Sequence, residues 1–383
     1  MAPPTDTAAT DASPVGHSFP DGVPVLVDAA AGVTLRPLAA ADLPRVVEQC
    51  QDAEMIRWTT VPEPDGGYQL RHAEEFLTAT AEGWETGERL GWVVEEGSRP
   101  GTFCGSVVLI RRETGVAEVG FGLHPDARGR HLMTTAVRLL RDHAFDTLGL
   151  RALRWRASVG NWGSRRVAAA TGFVVEGAVR LLLEQRGGLH DGWVATLTAD
   201  DPRSPVAWLD APRLSGSGLV LRPFTESDVP RIVGACSDPR TQHWLVSLPR
   251  RYSVADALGY VEATREAAAR ATGVAWCVAD ADDDRCLGSV SLEGFGGYHR
   301  RAEIGYWSHP DARGRGLTTA AVRLVTAYAE AGLVDSLLIR VAGSNDASAH
   351  VARAAGYREV GVLPHAEPLG DSTVDSLVLY ARP

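Results

Sequence analysis

Two stretches of this chain combine residue types in a pattern that can hold an anion. His-Pro-Asp-Ala-Arg-Gly-Arg occurs at 124–130 and again, unchanged, at 309–315, each time between a run that reads as a strand and one that reads as a helix. A turn rich in glycine and arginine at a helix start lets successive backbone N–H groups point into one concavity, where the helix dipole also favours negative charge. Such a loop suits a pyrophosphate; the same composition also suits a plain solvated turn. Its repetition ahead of an equivalent helix favours the functional reading. Downstream come Asn161-x-x-Ser164 with Thr171-Gly172-Phe173, and Asn345-x-x-Ser348 with Ala355-Gly356-Tyr357. Asparagine before a helix and glycine after it are the ordinary cap and stop. Upstream, Glu118 and Glu303 begin the strand that leads into each loop, a place where a lone glutamate is ordinarily solvated. All 38 basic side chains other than histidine are arginines, so chemistry that needs a lysine nucleophile or base is excluded.

The elements that must position these residues come as an internal repeat. Leu35-Arg36-Pro37-Leu38 returns as Leu221-Arg222-Pro223-Phe224, and Asp42, Cys50 and Trp58 return as Asp228, Cys236 and Trp244. A unit this long, present twice, is a duplicated domain and not a solenoid. We place a disordered tail at 1–24, a first domain at 25–199, a linker at 200–217 and a second domain at 218–383. In the first copy the spacing predicts a strand over 33–36, a helix over 42–51 and a second helix over 71–84. Strands near 91–95, 103–110 and 116–123 form a meander ahead of the loop. A helix over 134–145, a strand over 153–157, a helix over 162–170 and two closing strands follow. The fold class is mixed α/β.

Composition sets the class of partner. At 383 residues, with 45% hydrophobic and 22% charged residues, the chain suits two soluble domains. A net charge of −10 argues against nucleic acid and anionic membranes as partners. Five cysteines, with no C-x-x-C pair and no metal-ligand spacing, fit a reduced cytoplasm and no bound metal. Ten tryptophans include the repeated pair Trp58 and Trp244, which core packing or an aromatic cleft wall would each explain.

The run Ala117-Glu118-Val119-Gly120-Phe121 before the first loop, and Ala302-Glu303-Ile304-Gly305-Tyr306-Trp307 before the second, resemble the GNAT superfamily of acyl-CoA N-acyltransferases. The likeness is to the RimJ and RimL type, which acetylate protein N-termini, and it covers nearly all of both domains. It implies a mostly antiparallel twisted sheet with a splayed central strand pair and flanking helices, repeated in tandem. It also implies a donor, acetyl-CoA or another acyl-CoA, whose pyrophosphate lies on the loop amides. Those are Arg313, Gly314, Arg315, Gly316, Leu317 and Thr318 in the second copy, and Arg128, Gly129, Arg130, His131 and Met133 in the first. His131 replaces the family glycine and adds a side chain where backbone should approach phosphate.

By the same resemblance Asn161 and Asn345 bind the pantetheine arm. Gly122, Leu123, Tyr306 and Trp307 lie where a strand amide polarises the thioester carbonyl. Glu118 and Glu303 become candidate bases for the amine proton. Many members carry a tyrosine seven residues after the asparagine, but those positions are Ala168 and Ala352, so Ser164 and Ser348 become the candidate acids for the departing thiolate. Trp58, Trp244 and His299 would line the acceptor cleft. The implied reaction moves an acyl group to a primary amine of a small molecule or peptide N-terminus, with the second domain the catalytic one. The alternatives are a carrier-protein phosphopantetheine donor, as in natural-product assembly, and one of the two domains serving as a non-catalytic binding or dimer-mimicking module.

Overall fold

The computed structural model describes residues 22–295 and 300–382. The chain divides into two units, Met1–Val206 and Ala207–Pro383. In the first, the order is β1 (Leu26–Asp28), β2 (Val33–Arg36), α1 (Leu43–Gln51), α2 (Ala53–Trp58), α3 (Leu70–Thr86), β3 (Arg89–Glu96), β4 (Gly105–Glu113), β5 (Val116–Leu123), α4 (Leu132–Asp142), β6 (Ala152–Ser158), α5 (Trp162–Ala170), β7 (Val174–Gln185) and β8 (Gly188–Thr198). The second repeats it as β9 (Leu214–Gly216), β10 (Leu219–Arg222), α6 (Val229–Cys236), α7 (Pro239–Trp244), α8 (Val254–Ala269), β11 (Gly273–Asp280), β12 (Cys286–Glu293), β13 (Arg301–Ser308), α9 (Leu317–Glu330), β14 (Ser336–Ala342), α10 (Asp346–Ala354), β15 (Arg358–Pro368) and β16 (Val374–Ala381).

Each unit is one eight-stranded sheet, ordered β1-β2-β3-β4-β5-β6-β8-β7 and β15-β16-β14-β13-β12-β11-β10-β9. The β5–β6 and β13–β14 pairs are parallel, because α4 and α9 carry the chain back across the sheet between them; the other pairs are antiparallel. Side-chain alternation sorts each sheet onto two cores. Along β3, Trp92 and Val94 join the core under α4 and α5, while Val93 joins the one under α1 and α3. Along β11, Trp276 and Val278 do the first and Cys277 and Ala279 the second. These two-sided strands make the repeat readable, since near-continuous apolar runs and helix-spaced runs alternate in sequence.

The repeated Leu-Arg-Pro has a structural cause. Arg36 donates to both carboxylate oxygens of Asp42 at 2.8 Å, and Arg222 does the same to Asp228 at 2.8 and 3.0 Å, tying β2 and β10 to the starts of α1 and α6. Three features differ from the sequence-based expectation. The short helices α2 and α7 are additional to the expected elements; each is capped by an aspartate, Asp52 or Asp238, that accepts from a backbone N–H three residues on. Helix α4 starts two residues ahead of Thr134, at Leu132. Within the segment read as a linker, Leu214–Gly216 pairs with Leu219–Leu221, and the Pro212 carbonyl accepts from the Trp276 indole, so this stretch is built into the second sheet. Most of the expected tail, residues 1–21, lies outside the described residues.

Candidate active site

In the second domain the splay of two strands makes the site. Strands β13 and β14 pair only from Arg301↔Ser336 to Glu303↔Leu338, after which Ile304–Ser308 has no partner on that side. The wedge so opened is a groove of ≈ 670 Å³, and its lining runs from Glu303 through Tyr306 and Trp307 to Gly314, Gly316, Leu317 and Thr318, with Asn345 and Ser348 on the α10 side. Trp244, Arg313 and Arg340 line it as well.

Gly316, at φ 73°, occupies the left-handed region just before α9, and Gly314, at φ 72°, does the same two residues earlier. A Cβ on either would meet nothing within 4 Å, so the loop surface is open toward the groove. Asn345 Oδ1 accepts from the Ser348 N–H at 3.1 Å, so the asparagine is a genuine helix cap while its side-chain amide N–H₂ remains a donor. The Tyr306 hydroxyl lies 2.9 Å from Ser348 Oγ and 3.2 Å from the Ser348 carbonyl. Burial pushes the Tyr306 phenol up to about 12, so it keeps its proton at neutral pH. Glu303 is held at 2.8 Å by Arg340 Nε, which fixes the carboxylate on the groove wall.

The heptapeptide is largely an anchoring device. His309 Nδ1 lies 2.8 Å from Asp311, and Arg231 of α6 donates to both Asp311 oxygens at 2.8 Å. The Arg231 guanidinium holds the Asp311 carboxyl well below the usual carboxylate range. Arg313 donates to Asp238 at 2.6 Å and to Thr241 at 2.8 Å, tying the loop to α7. The first copy repeats the scheme, with Arg45 on Asp126, His124 beside Asp126, and Arg128 bonded to Asp52. The side chains of Arg128 and Arg313 therefore serve the scaffold, and only their backbone is left for an anion. Arg130 also finds a protein partner, Glu96 at 2.7 Å. Arg315 has no ion-pair partner among the described residues and is exposed, yet it does not line the groove.

The first domain distributes the same residues differently. Its cavity, of ≈ 740 Å³, is lined by Glu118, Asn161, Ser164 and Trp58 but by none of residues 128–133. His131 takes φ 58°, close to that of Gly316, so the loop keeps its shape despite the substitution. Leu132 and Met133 behind it are buried, whereas Leu317 and Thr318 are half-exposed. Leu123 and Met133 stand where the second domain has Ser308 and Thr318, two hydroxyls 2.6 Å apart. Glu118 is held by Arg156 at 2.7 Å and Arg112 at 3.2 Å.

Ser164 and Ser348 each receive an aromatic partner, but from different strands: the Trp155 indole N–H of β6 donates to Ser164 at 3.1 Å, while Tyr306 of β13 reaches Ser348. Sequence reading gave Tyr306 a donor-binding place and missed its contact with the serine. The available signal was the exchange of Phe121 and Trp155 in the first copy for Tyr306 and Ile339 in the second. His299 lies outside the described residues.

Residues 33–174 and 218–358 each match the acetyltransferase (GNAT) domain family. A ribosomal-protein-serine acetyltransferase of Escherichia coli (strain K12) is 33% identical over 101 residues, which is 26% of this chain and 56% of that protein. The chain thus spans little more than half the length of that relative. The uncharacterized N-acetyltransferase YoaA of Bacillus subtilis (strain 168) is 25% identical over 153 residues, 40% of this chain and 86% of that one. Among solved structures, Mycobacterium smegmatis RimJ in complex with CoA-disulfide is 22% identical, with a TM-score of 0.41, covering 44% of this chain and 84% of its own.

Proposed function

The chain belongs to the GNAT acetyltransferase family in both halves, and from that premise we propose that its second domain transfers an acetyl or other small acyl group from a CoA thioester to a primary amine. The observation that carries this reading is the single groove that joins the loop at Gly314–Thr318 to Asn345, Ser348, Tyr306 and Glu303. The backbone N–H groups at the start of α9 face the pyrophosphate, aided by the helix dipole. The Asn345 amide N–H₂ donates to the pantetheine arm. The splayed stretch Ile304–Ser308 offers strand N–H groups to the thioester carbonyl, where negative charge develops.

The amine nitrogen attacks that carbonyl carbon and the C–S bond breaks. One proton leaves the amine for Glu303, directly or through water, and another goes to the departing thiolate from the Ser348–Tyr306 pair. The pair holds its proton at neutral pH and so has one to give, while the raised pKa of the phenol makes it the weaker acid of the exchange and leaves the proton-transfer driving force to the breaking C–S bond. Tyr306 therefore takes in space the role that the family's helix tyrosine, here Ala352, would play. The acceptor is a small-molecule amine or a peptide N-terminus, and the five buried free cysteines suit work in the cytoplasm. Among the described residues no helix is long and apolar enough to cross a membrane.

Titration calorimetry of acetyl-CoA into the full chain tests the donor assignment. Binding at one site per chain, lost in Gly316→Asp and kept in His131→Asp, is the expected result. Absence of binding to the unaltered protein would remove free CoA as the donor and point to a carrier protein's phosphopantetheine thioester. Loss in His131→Asp alone would move the donor site to the first domain.

A further inference from the structure

The cavity of the first domain owes its space to a glycine. Gly122 stands at the position of Trp307, whose indole packs with the rings of Phe224 and Tyr260 at centroid distances of 6.5 and 6.4 Å. With no side chain at 122, the flexible tip of Met55 and the Gln49 amide nitrogen approach instead, 2.7 and 3.5 Å from where a Cβ would lie. The cavity is bounded by Val46, Cys50, Tyr68, Phe76 and Phe103, an apolar and aromatic wall between the sheet and α1 and α3.

That wall contains unfinished polar chemistry. Gln49 Oε1 and Ser158 Oγ are buried with no hydrogen-bond partner among the described residues, and the residues that carry them are 3% and 7% exposed. Both line this cavity. Buried polar atoms are ordinarily paired, and leaving them unpaired is costly. Arg89, half-buried, also lines it and has no ion-pair partner among the described residues, while the like charge of Arg112 acts on it. A volume of ≈ 740 Å³ falls in the range of pockets that enclose a drug-sized molecule.

We propose that this cavity binds a small amphipathic organic anion. Its ring-bearing apolar body lies against the aromatic wall, an N–H or O–H group pairs with Gln49 and Ser158, and its anionic group sits by Arg89. None of residues 128–133 lines the site, although Glu118, Asn161 and Ser164 do, and the first domain holds this ligand as a binding module. This goes beyond the acyl-transfer reading and does not depend on it.

The test uses the full chain and 1-anilinonaphthalene-8-sulfonate, whose fused rings, N–H and sulfonate match the three features. Fluorescence titration is expected to give one saturable site per chain that saturating acetyl-CoA does not displace. Gly122→Trp, which installs the second domain's residue at a position outside the left-handed region, is expected to abolish binding. Gln49→Leu removes an unpaired amide and is expected to melt no lower than the unaltered protein while binding about three- to tenfold more weakly. Arg89→Met is expected to weaken binding of the sulfonate probe by a similar factor. No binding to the unaltered chain, displacement by acetyl-CoA, or full affinity in Gln49→Leu would each overturn the proposal, and Gln49→Leu serves even where Gly122→Trp fails to fold. Failure of the acyl-transfer reading has a different signature, loss of acetyl-CoA binding with the probe site intact.

Discussion

The two domains keep the same skeleton of ion pairs and differ in where they leave space. In both, arginine ties β2 or β10 to the first long helix, the loop aspartate is tied to an arginine of that same helix, and the first loop arginine is tied to the cap of the short helix after it. Where the first domain has Phe121, Gly122, Leu123 and Met133, the second has Tyr306, Trp307, Ser308 and Thr318. Leucine and methionine close the first domain's loop end and glycine empties its floor; serine and threonine open the second domain's loop end and tryptophan fills its floor. Strand splay follows suit. β5 and β6 stay paired through Val119↔Trp155, while β13 and β14 separate a position earlier, after Glu303↔Leu338. A duplicated scaffold can thus carry two differently lined cavities of similar size, ≈ 740 and ≈ 670 Å³, without altering its anchors.

The largest effect should come from the anchors that both domains share. The side chains of Arg222 and Asp228 are 10% and 3% exposed, and Asp228→Ala leaves that cation with Asp284, an exposed partner at 2.9 Å, as its one carboxylate among the described residues. Breaking such a pair costs about 3–5 kcal/mol. Because Arg222 keeps Asp284 and Arg36 keeps Glu95, chemical denaturation should show the second domain losing at most about that much in Asp228→Ala and the first losing a comparable amount in Asp42→Ala. A loss under about 1 kcal/mol in one domain only would mean that the skeletons are not equivalent.

Next in size is the contrast at the loop. Gly316→Asp sets a carboxylate where a pyrophosphate should lie, and acetyl-CoA affinity should fall by about 100-fold, close to 2.7 kcal/mol. His131→Asp should change it by less than about twofold. Equal losses in both variants would erase the distinction between an open and a closed loop end.

The serine partners sharpen the comparison further. Ser348→Ala and Tyr306→Phe should each lower turnover by about 10- to 100-fold with acetyl-CoA affinity kept, because removal of a proton donor acts on the transition state. Ser164→Ala and Trp155→Phe should leave turnover unchanged. The sign of the pH effect follows from Tyr306: the proton-donating form is present below its raised pKa of about 12 and is lost only as pH rises through it. Turnover should therefore show no alkaline decline from this group below pH of about 11. A decline near pH 8 that Tyr306→Phe removes would show that the phenol is the acid but that burial does not hold its pKa up.

Much of this was legible in the residues. The duplicated domain, the alternation of strands and helices and the loop before α4 and α9 all rest on local pattern, which a sequence carries directly. The carboxylates, asparagines and serines were legible as positions, and in the second domain they line one groove. What stayed hidden depends on contacts between distant segments. Arg313 was legible as one of the loop amides for an anion, whereas the pairing of its guanidinium with Asp238, 75 residues earlier, leaves no local signal. Gly122 was legible only as a place for a strand amide on the thioester, and the packing around it appears only when Met55 and Gln49 from other elements are set beside it. The helices α2 and α7 are six residues each, too short for a helical period to register.

The smallest expected effect probes the anchoring of the loop itself. Asp311 is about half exposed, and its pair with Arg231 is a surface interaction whose worth is about 0.2–1 kcal/mol. Because the folded protein holds this carboxyl below its ordinary range, the stabilisation is fully present above the unfolded pKa of about 3.9 and is lost as pH falls through the lower folded value. Asp311→Asn should therefore lower the melting temperature by no more than a few degrees at pH 7, and the difference from the unaltered protein should shrink in acid. If the loop is positioned chiefly by this pair, acetyl-CoA affinity should fall in the same variant by more than the stability loss alone explains, since the proposed donor site lies on the second domain's loop. Asp126→Asn, which breaks the same anchor in the first domain, should then reduce stability alike and leave acetyl-CoA binding untouched.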